Sequence, residues 1–364
     1  MSGKPTKDAG FTAGAHTSAR ATANESTRLP ALSAINLSCG YPGTSKPILN
    51  CLNLAVSEGR LVCVIGPNGV GKSTLARTLA GLLAPMGGEV RLHDQRLTDL
   101  APAERARSVS VVLTRLPVTG YMTVRNFVEI GRHPYTGTLG RMSAEDHDAV
   151  NHAISQIGMS ELEDRWLNAI SDGERQRAAI ARAFAQAATL MILDEPTAFL
   201  DVEARAVVMT TLRRVAHDTG RTVIATSHDI DLVLRIADEI WMITPDRTVL
   251  TGAPEDLVLT GAMDQVFPNH VLRFDLKSGG FRLPHPTGRE VIVRGDGAQT
   301  AWTARALERI GMRVIHPDVR ATSGVDTTMP EVDAREHEAW SLRMDGHTHE
   351  FSSVANLVDH LRKS

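Results

Sequence analysis

The residues from Gly66 to Thr74 read GPNGVGKST and match the pattern G-x-x-x-x-G-K-[ST], which is typical of loops that bind phosphate groups. An apolar run, RLVCVI, precedes them and a helical pattern follows, so the loop is predicted to join a buried strand to a helix N-terminus. Its glycines would let successive backbone N–H groups point at one phosphate. Lys72 would add a positive charge, and Ser73 would offer its hydroxyl to Mg²⁺. The predicted contacts are Gly66, Pro67, Asn68, Gly69, Val70, Gly71, Lys72, Ser73 and Thr74.

A second apolar run, LMIL from Leu190 to Leu193, ends in two carboxylates. Asp194, at the strand end, would hold Mg²⁺ through water, and Glu195 would orient and activate an attacking water. By itself such a pair is just as typical of a solvated strand end. Because the phosphate-binding loop lies upstream, we predict that Glu195 is catalytic and that Ser73 and Asp194 hold the metal.

Further segments surround these two motifs in a fixed order. ISDGERQR, from Ile170 to Arg177, is similar to the signature motif of ATP-binding cassette (ABC) ATPases. The segments DEPT and FLD resemble the family's Walker B motif and D-loop, SHD resembles its H-loop, and the tyrosine of CGY resembles the A-loop aromatic that stacks on adenine. The resemblance covers roughly residues 32–260. It adds His228 as a catalytic residue and, as nucleotide contacts, Tyr41, Ser171, Gly173, Glu174 and Asp201.

The resemblance implies the α/β fold of P-loop NTPases, with a RecA-like core, a helical subdomain that carries the signature motif and an antiparallel β-subdomain. It also implies a head-to-tail dimer, in which ATP at Lys72 of one copy is sealed by Ser171 and Gly173 of the other. His228 would hydrogen-bond the γ-phosphate and help to hold the water in line. ATP and Mg²⁺ are the expected ligands.

Two positions depart from the family's usual pattern. In the signature, usually LSGGQ, Asp172 replaces a glycine and Glu174 replaces the glutamine. A carboxylate that points at a phosphate is unfavourable, so Asp172 is expected to face solvent. Thr114 stands at the end of the strand that normally ends in the Q-loop glutamine, a direct Mg²⁺ ligand. Threonine is shorter, so its hydroxyl is expected to fall short of the metal, with water in the vacant position.

Changes in composition along the chain predict three regions. Residues 1–28 are rich in small polar residues and are expected to form a disordered tail. Residues 29–260 alternate short strands with helices and would form the ATP-binding domain, with a mainly parallel sheet. Residues 261–364 would form a small α+β domain with a dimerising or regulatory role, in which Pro317–Glu336 is a polar loop. It ends in a helix whose apolar face holds Val354, Leu357, Val358 and Leu361.

The overall composition limits the classes of protein to which the chain can belong. Among 364 residues, Lys+Arg number 39 and Asp+Glu 42, a formal charge of −3 that gives no overall attraction to nucleic acid. No apolar run approaches the roughly 20 residues that cross a bilayer. The three cysteines are widely spaced and indicate neither a metal site nor a disulfide framework, which fits a reducing compartment. We therefore expect a cytoplasmic protein that binds no nucleic acid.

One ATPase module without a membrane span resembles an importer subunit that docks under a separate permease on the inner face of the cell membrane. The segment TVRNFVEIGRHP, from Thr123 to Pro134, and the signature SDGE resemble the iron–siderophore, haem and cobalamin importers. In that interpretation a substrate-binding protein is an indirect partner. The alternatives are an ABC importer for another small solute and a soluble ABC ATPase that acts on DNA or ribosomes. Salt-resistant recovery with membranes would favour a transporter.

Overall fold

The computed structural model describes residues 29–114, 121–137, 140–268, 272–276, 278–284, 286–316, 329–334 and 339–363. The tail predicted over residues 1–28 lies outside them. The chain divides into two compact units between Phe267 and Pro268, a few residues after the change near Gly261 that composition predicts. The difference arises from a short helix, Ala262–Val266, whose buried face packs with the first unit.

A six-stranded sheet forms the centre of the first unit. Its spatial order is β10-β9-β3-β8-β7-β6, and every neighbouring pair is parallel except β9 and β10. Strands that are buried on both faces need continuous apolar runs, and β3, β7 and β8 meet this requirement along their whole length. The strands are β3 (Leu61–Ile65), β6 (Val109–Val112), β7 (Leu190–Leu193), β8 (Thr222–Thr226), β9 (Glu239–Ile243) and β10 (Val249–Gly252).

An antiparallel sheet with the order β2-β1-β4-β5 covers one side of this centre. Its alternating apolar residues, such as Leu37 and Leu54, share one buried core with Val64 of β3, Leu75 of the first helix and Trp241 of β9. The predicted RecA-like core and antiparallel β-subdomain are therefore both present. The strands are β1 (Leu32–Cys39), β2 (Leu49–Val56), β4 (Gly87–Leu92) and β5 (Gln95–Arg96).

Helices flank the sheet and form a separate group between β6 and β7. In this group α4 and α5 pack on each other, and α3 packs on α5. Helix α5 begins at Asp172 because the capping box of Ser171 satisfies the N–H groups at its start. The helices are α1 (Lys72–Leu79), α2 (Pro102–Ser108), α3 (Val124–Glu129), α4 (Ala144–Gln156), α5 (Asp172–Ala185), α6 (Val202–Thr219), α7 (Ile230–Ile236), α8 (Pro254–Leu259) and α9 (Ala262–Val266).

The second unit combines a hairpin with a five-stranded sheet of order β14-β13-β15-β16-β17. The prediction of a loop over Pro317–Glu336 is wrong at Glu331–Asp333, because these residues form β15 between β13 and β16. Only Val332 is apolar there, so the strand has no apolar pattern of its own. Residues 317–328 and 335–336 of that segment lie outside the described part. The elements are β11 (Arg273–Asp275), β12 (Gly280–Arg282), β13 (Glu290–Arg294), α10 (Ala298–Arg309), β14 (Arg313–Ile315), β15 (Glu331–Asp333), β16 (Trp340–Met344), β17 (His347–Phe351) and α11 (Val354–Lys363).

The terminal helix α11 closes the core of the second unit. Leu357 is fully buried against Val293, Leu307 and Leu342, and Leu361 packs against the same cluster. The apolar face that the spacing predicts is therefore used within the unit itself.

Candidate functional site

The phosphate-binding loop connects β3 to α1, as the motif predicts. Gly66 has a φ of +153°, and a Cβ atom there would lie 2.5 Å from the carbonyl oxygen of Ile243. Gly71, with a φ of +119°, begins α1 from a left-handed conformation that side chains disfavour. These glycines allow the backbone to form a tight cradle at a helix N-terminus, where anions bind well.

Lys72 lies across this loop. Its Nζ donates hydrogen bonds to the carbonyl oxygens of Gly66 (2.9 Å) and Pro67 (3.0 Å). Burial lowers the pKa of Lys72, and the negative charges of Glu195 and Asp194 oppose that shift. Lys72 and the two carboxylates after β7 therefore lie close enough for their charges to interact.

The two carboxylate oxygens of Asp194, at the end of β7, have different partners. The residue is 2% exposed, and its Oδ1 accepts a hydrogen bond from the Thr226 hydroxyl at 3.0 Å. Its Oδ2 is buried and, among the described residues, accepts no hydrogen bond, while the Arg77 guanidinium pairs with it at 3.7 Å. A buried carboxylate oxygen that accepts no hydrogen bond is costly, and carboxylate oxygens are ligands that Mg²⁺ prefers. The residues present therefore fit a Mg²⁺ ion, reached directly or through water.

Glu195 and His228 form a direct pair. His228 Nε2 lies 2.5 Å from Glu195 Oε1, and both side chains are partly open to solvent. Glu195 has a φ of +54°, which is uncommon for a residue with a side chain. This backbone conformation follows immediately after the strand and places the carboxylate opposite the histidine, where the pair can accept a proton from a bound water.

The signature segment caps its own helix. Ser171 accepts a hydrogen bond from the backbone N–H of Glu174, while the Glu174 carboxylate accepts from the Ser171 N–H and hydroxyl, each at 2.8 Å. These bonds hold the pKa of Glu174 below its usual value. The Asp172 side chain is 70% exposed and pairs with Arg175, so the expectation that it faces solvent is confirmed. A Cβ on Gly173 would lie 3.3 Å from the carbonyl oxygen of Phe199, so the signature lies against the D-loop.

Comparisons with known proteins agree with this geometry. Residues 49–198 match the family model described as ABC transporter, and residues 288–362 match the model described as iron ABC transporter C-terminal domain. The ABC transporter ATP-binding protein MJ0873 of Methanocaldococcus jannaschii is 36% identical over 265 residues, which is 72% of this chain and 91% of that protein. The chain belongs to the ABC transporter ATP-binding proteins.

Two further similarities concern function and assembly. The ferric enterobactin transport ATP-binding protein FepC of Escherichia coli is 32% identical over 238 residues, 65% of this chain and 88% of that protein. The dimeric post-hydrolysis structure of the ATP-binding cassette MJ0796, bound to ADP and phosphate, superposes with a TM-score of 0.52 at 26% identity, and the match covers 58% of this chain and 93% of that one. This ABC ATP-binding protein is thus an ATPase of the transporter class, and its family binds ATP. In the described part of the chain, no helix is both long and apolar enough to span a membrane.

Tyr41 and Asp201, the residues of this ABC ATP-binding protein that resemble the A-loop and D-loop, lie on other elements. Tyr41 follows β1 and is 41% exposed, which leaves its ring open to a ligand. Asp201 caps α6 by accepting a hydrogen bond from the Ala204 N–H at 2.7 Å. Within the described residues, no hydrogen bond or ion pair joins Ser171 or Glu174 to the phosphate-binding loop. The signature therefore stays a predicted contact for a second copy.

The segment that resembles iron–siderophore importers is partly structural in this ABC ATP-binding protein. Thr123 caps α3, and Arg132 is buried, with its guanidinium donating to Asp146 at 2.8 Å and to the Ala185 carbonyl at 2.7 Å. A Cβ on Gly131 would lie 2.3 Å from the carbonyl oxygen of Arg182. Gly131 and Arg132 therefore hold the end of α3 against α5.

Two residues near the carboxylates are absent from the sequence-based site. Thr226 contacts both Asp194 and Glu195, and Arg77 lies beside Asp194. Thr226 is brought there because β7 and β8 are parallel neighbours whose carboxyl ends meet at one edge, whereas Arg77 is brought there by the packing of α1 on β7. The sequence signal that could have identified Thr226 is its position at the end of a predicted strand.

Thr114 points at the main chain. Its hydroxyl donates to the Asp194 carbonyl oxygen at 2.9 Å, so it supports the end of β7 from the side of β6. A net hydrogen bond of this kind contributes about 0.5–1.5 kcal/mol. This placement agrees with a side chain that does not itself coordinate the metal.

We therefore expect Thr114→Ala to lower ATP hydrolysis by roughly tenfold or less, since about 1 kcal/mol is involved. Ser73→Ala should be far more damaging, beyond the 10–100-fold typical of outer-shell partners, because it removes a predicted metal ligand. Steady-state ATPase rates of both variants against Mg²⁺ concentration test this ranking. A Mg-ATP structure with a Thr114 oxygen at about 2.0–2.1 Å from the metal would contradict it.

Proposed function

We propose that the chain is the ATP-hydrolysing subunit of an importer that takes up an iron–siderophore, haem or cobalamin type of substrate through a separate permease. The observation that carries the hydrolytic part is the Glu195–His228 pair at 2.5 Å, beside an Asp194 whose buried Oδ2 accepts no hydrogen bond from the described part of the chain. A general base, its partner and an open metal-binding oxygen stand at one edge of the central sheet, next to the phosphate-binding loop.

In this proposal each side chain has one task. The loop amides and Lys72 bind the β- and γ-phosphates, and Tyr41 stacks on adenine. Ser73 and Asp194 hold Mg²⁺, which would neutralise charge on the phosphates. Glu195 takes the proton from the attacking water, and His228 keeps that carboxylate and the water in position. Because the pair is already in contact in the folded chain, little reorganisation is needed before reaction.

The cargo class rests on the second unit and on one relative. Residues 288–362 match the iron ABC transporter C-terminal domain, and FepC is named for ferric enterobactin transport. The proposal extends this class to the present chain. The ATPase itself need not touch the cargo, because in such an assembly a substrate-binding protein delivers it to the permease.

We further propose that two copies act head to tail on the permease, at the inner face of the membrane. The dimeric cassette MJ0796 supports a dimer, and the exposed position of Ser171 leaves the signature accessible to a second copy. In the dimer, the hydroxyl and backbone N–H groups at the start of α5 would meet the γ-phosphate held by the partner copy's loop. The positive end of this helix suits that anion.

The cargo proposal can be tested in the assembled transporter. The tagged chain is purified with its co-purifying membrane subunits and reconstituted into vesicles with the matching substrate-binding protein. We expect ATP-dependent uptake of a ferric siderophore, haem or cobalamin, and no uptake with Glu195→Gln. If the complex hydrolyses ATP but transports none of these, the cargo class is wrong while the ATPase assignment stands. Recovery of the chain with ribosomes or DNA instead of membranes would favour the soluble alternative.

We expect a variant that ends at Phe267 to fold and bind ATP, because every nucleotide motif lies upstream and each unit has its own apolar core. The second unit would instead affect dimer stability or regulation. Nucleotide binding, thermal unfolding and size-exclusion chromatography of the truncated and full chains check this. A soluble truncated chain that does not bind ATP would show that the second unit completes the site.

A further inference from the structure

Thr226 connects the two carboxylates of the site. It is the last residue of β8 and is fully buried. Its hydroxyl donates to Asp194 Oδ1 at 3.0 Å and accepts from the backbone N–H of Glu195 at 2.8 Å. One hydroxyl therefore serves as donor to the predicted metal ligand and as acceptor for the predicted catalytic residue.

The backbone N–H and carbonyl groups of Asp194 are also held by hydrogen bonds. The Asp194 N–H donates to the Val112 carbonyl at 2.8 Å, and the Asp194 carbonyl accepts from Thr114 at 2.9 Å. Oδ1 is bonded to Thr226, whereas Oδ2 accepts no hydrogen bond from the residues that the structure describes and lies 3.7 Å from the Arg77 guanidinium. The network thus selects which oxygen of Asp194 faces a metal ion.

The same hydroxyl bears on the backbone of Glu195. A φ of +54° is unfavourable for glutamate, so surrounding bonds must hold it. Of those bonds, the one from the Glu195 N–H to Thr226 acts directly on the peptide that carries this angle. Loss of the acceptor would leave a partly buried N–H without this hydrogen bond and let the carboxylate turn away from His228.

We propose that Thr226 is a positioning residue for ATP hydrolysis, which aligns the metal-binding oxygen of Asp194 and the base Glu195 together through one hydroxyl group. The inference rests on the proposed function. It requires a side chain that both donates and accepts at this position, a condition that serine meets and that valine and alanine do not.

Four variants of the full-length chain test it. Thr226→Val keeps the shape and removes the hydroxyl, whereas Thr226→Ser keeps the hydroxyl and removes the methyl group. Thr226→Ala differs from Thr226→Ser only by the hydroxyl oxygen, so the Ser–Ala pair decides the question if the valine variant does not fold. The matched control is Thr222→Val in the same buried strand, whose hydroxyl bonds to the Ser57 carbonyl at 3.3 Å, away from the carboxylates.

The readouts are Mn²⁺ affinity of the ATP-bound protein by electron paramagnetic resonance, ATP affinity in EDTA, and steady-state kcat and KM. For Thr226→Val and Thr226→Ala we expect metal affinity and kcat to fall roughly 10–100-fold, as for other outer-shell partners. ATP affinity in EDTA should stay within about twofold, because the phosphate-binding loop is untouched. Thr226→Ser and Thr222→Val should resemble the unmodified chain.

Three outcomes separate the failure of this inference from the failure of the proposed function. If the unmodified chain hydrolyses ATP with Mg²⁺ and folded Thr226→Val or Thr226→Ala variants match it in metal affinity and kcat, the positioning role is wrong and the ATPase assignment stands. Equal losses in Thr226→Ser and Thr226→Ala would also overturn it, because packing would then be the cause. If the unmodified chain binds Mg-ATP but does not hydrolyse it, even with its permease, the proposed function fails first.

Discussion

Replacing Glu195 with glutamine is expected to lower ATP turnover by about 10²–10⁴-fold while leaving ATP binding intact. Glutamine has almost the same shape and can still contact His228, whose Nε2 lies 2.5 Å from Oε1, but it cannot accept a proton from water. The nucleotide should therefore remain bound and hold two copies together. Turnover is measured by phosphate release, and the trapped dimer by size-exclusion chromatography with ATP.

Glu203→Gln is the matched control for this change. Glu203 lies in the exposed first turn of α6, eight positions later in the chain. Its replacement by glutamine removes the same charge without changing the site. Its turnover should equal that of the unmodified chain. Near-normal turnover in purified Glu195→Gln transporter would show that another group activates the water.

Lys72→Ala is expected to abolish tight ATP binding. The ammonium group is buried in the loop and makes hydrogen bonds of 2.9 and 3.0 Å to loop carbonyls. Truncating one partner of a buried, hydrogen-bonded charge pair costs about 2–5 kcal/mol. At about 1.4 kcal/mol per tenfold, ATP should bind roughly 30 to several thousand times more weakly. Calorimetric titration with Mg-ATP measures the change.

The control for Lys72→Ala is Lys363→Ala, which removes an exposed lysine from the last turn of α11. Its ATP affinity should not change. If folded Lys72→Ala protein bound ATP as tightly as the control, the ammonium group would not be a phosphate ligand, and the loop amides alone would account for binding.

Lys72→Ala also tests the shared site when it is mixed with a Ser171→Arg chain. A mixed dimer would keep one intact composite site, made from one copy's phosphate-binding loop and the other copy's signature. We therefore expect partial recovery of ATPase activity, although each variant alone is inactive. A nucleotide-bound structure with Ser171 beside Lys72 of its own chain would contradict the head-to-tail arrangement.

The phosphate-binding loop and the carboxylates after β7 are predictable from sequence because their chemistry is local. Three closely spaced glycines and Lys72 determine the loop, since the backbone conformations and the anchoring charge lie within nine residues. The apolar runs of β3, β7 and β8 likewise predict buried parallel strands. The capping box at Ser171 and Glu174 is readable in the same way, because its partners are three residues apart.

Tertiary structure decided the contacts that join distant segments. Thr226 lies 32 residues from Asp194 and Thr114 lies 80 residues from it, yet both donate to Asp194 because β6, β7 and β8 end at one edge of the sheet. β15 is a similar case, since a strand with a single apolar residue is stabilised by pairing with β13 and β16. The spacing of the motifs predicts which groups react. Only the pairing of strands determines which hydroxyl positions those groups, because hydrogen bonds across a sheet depend on strand order and register.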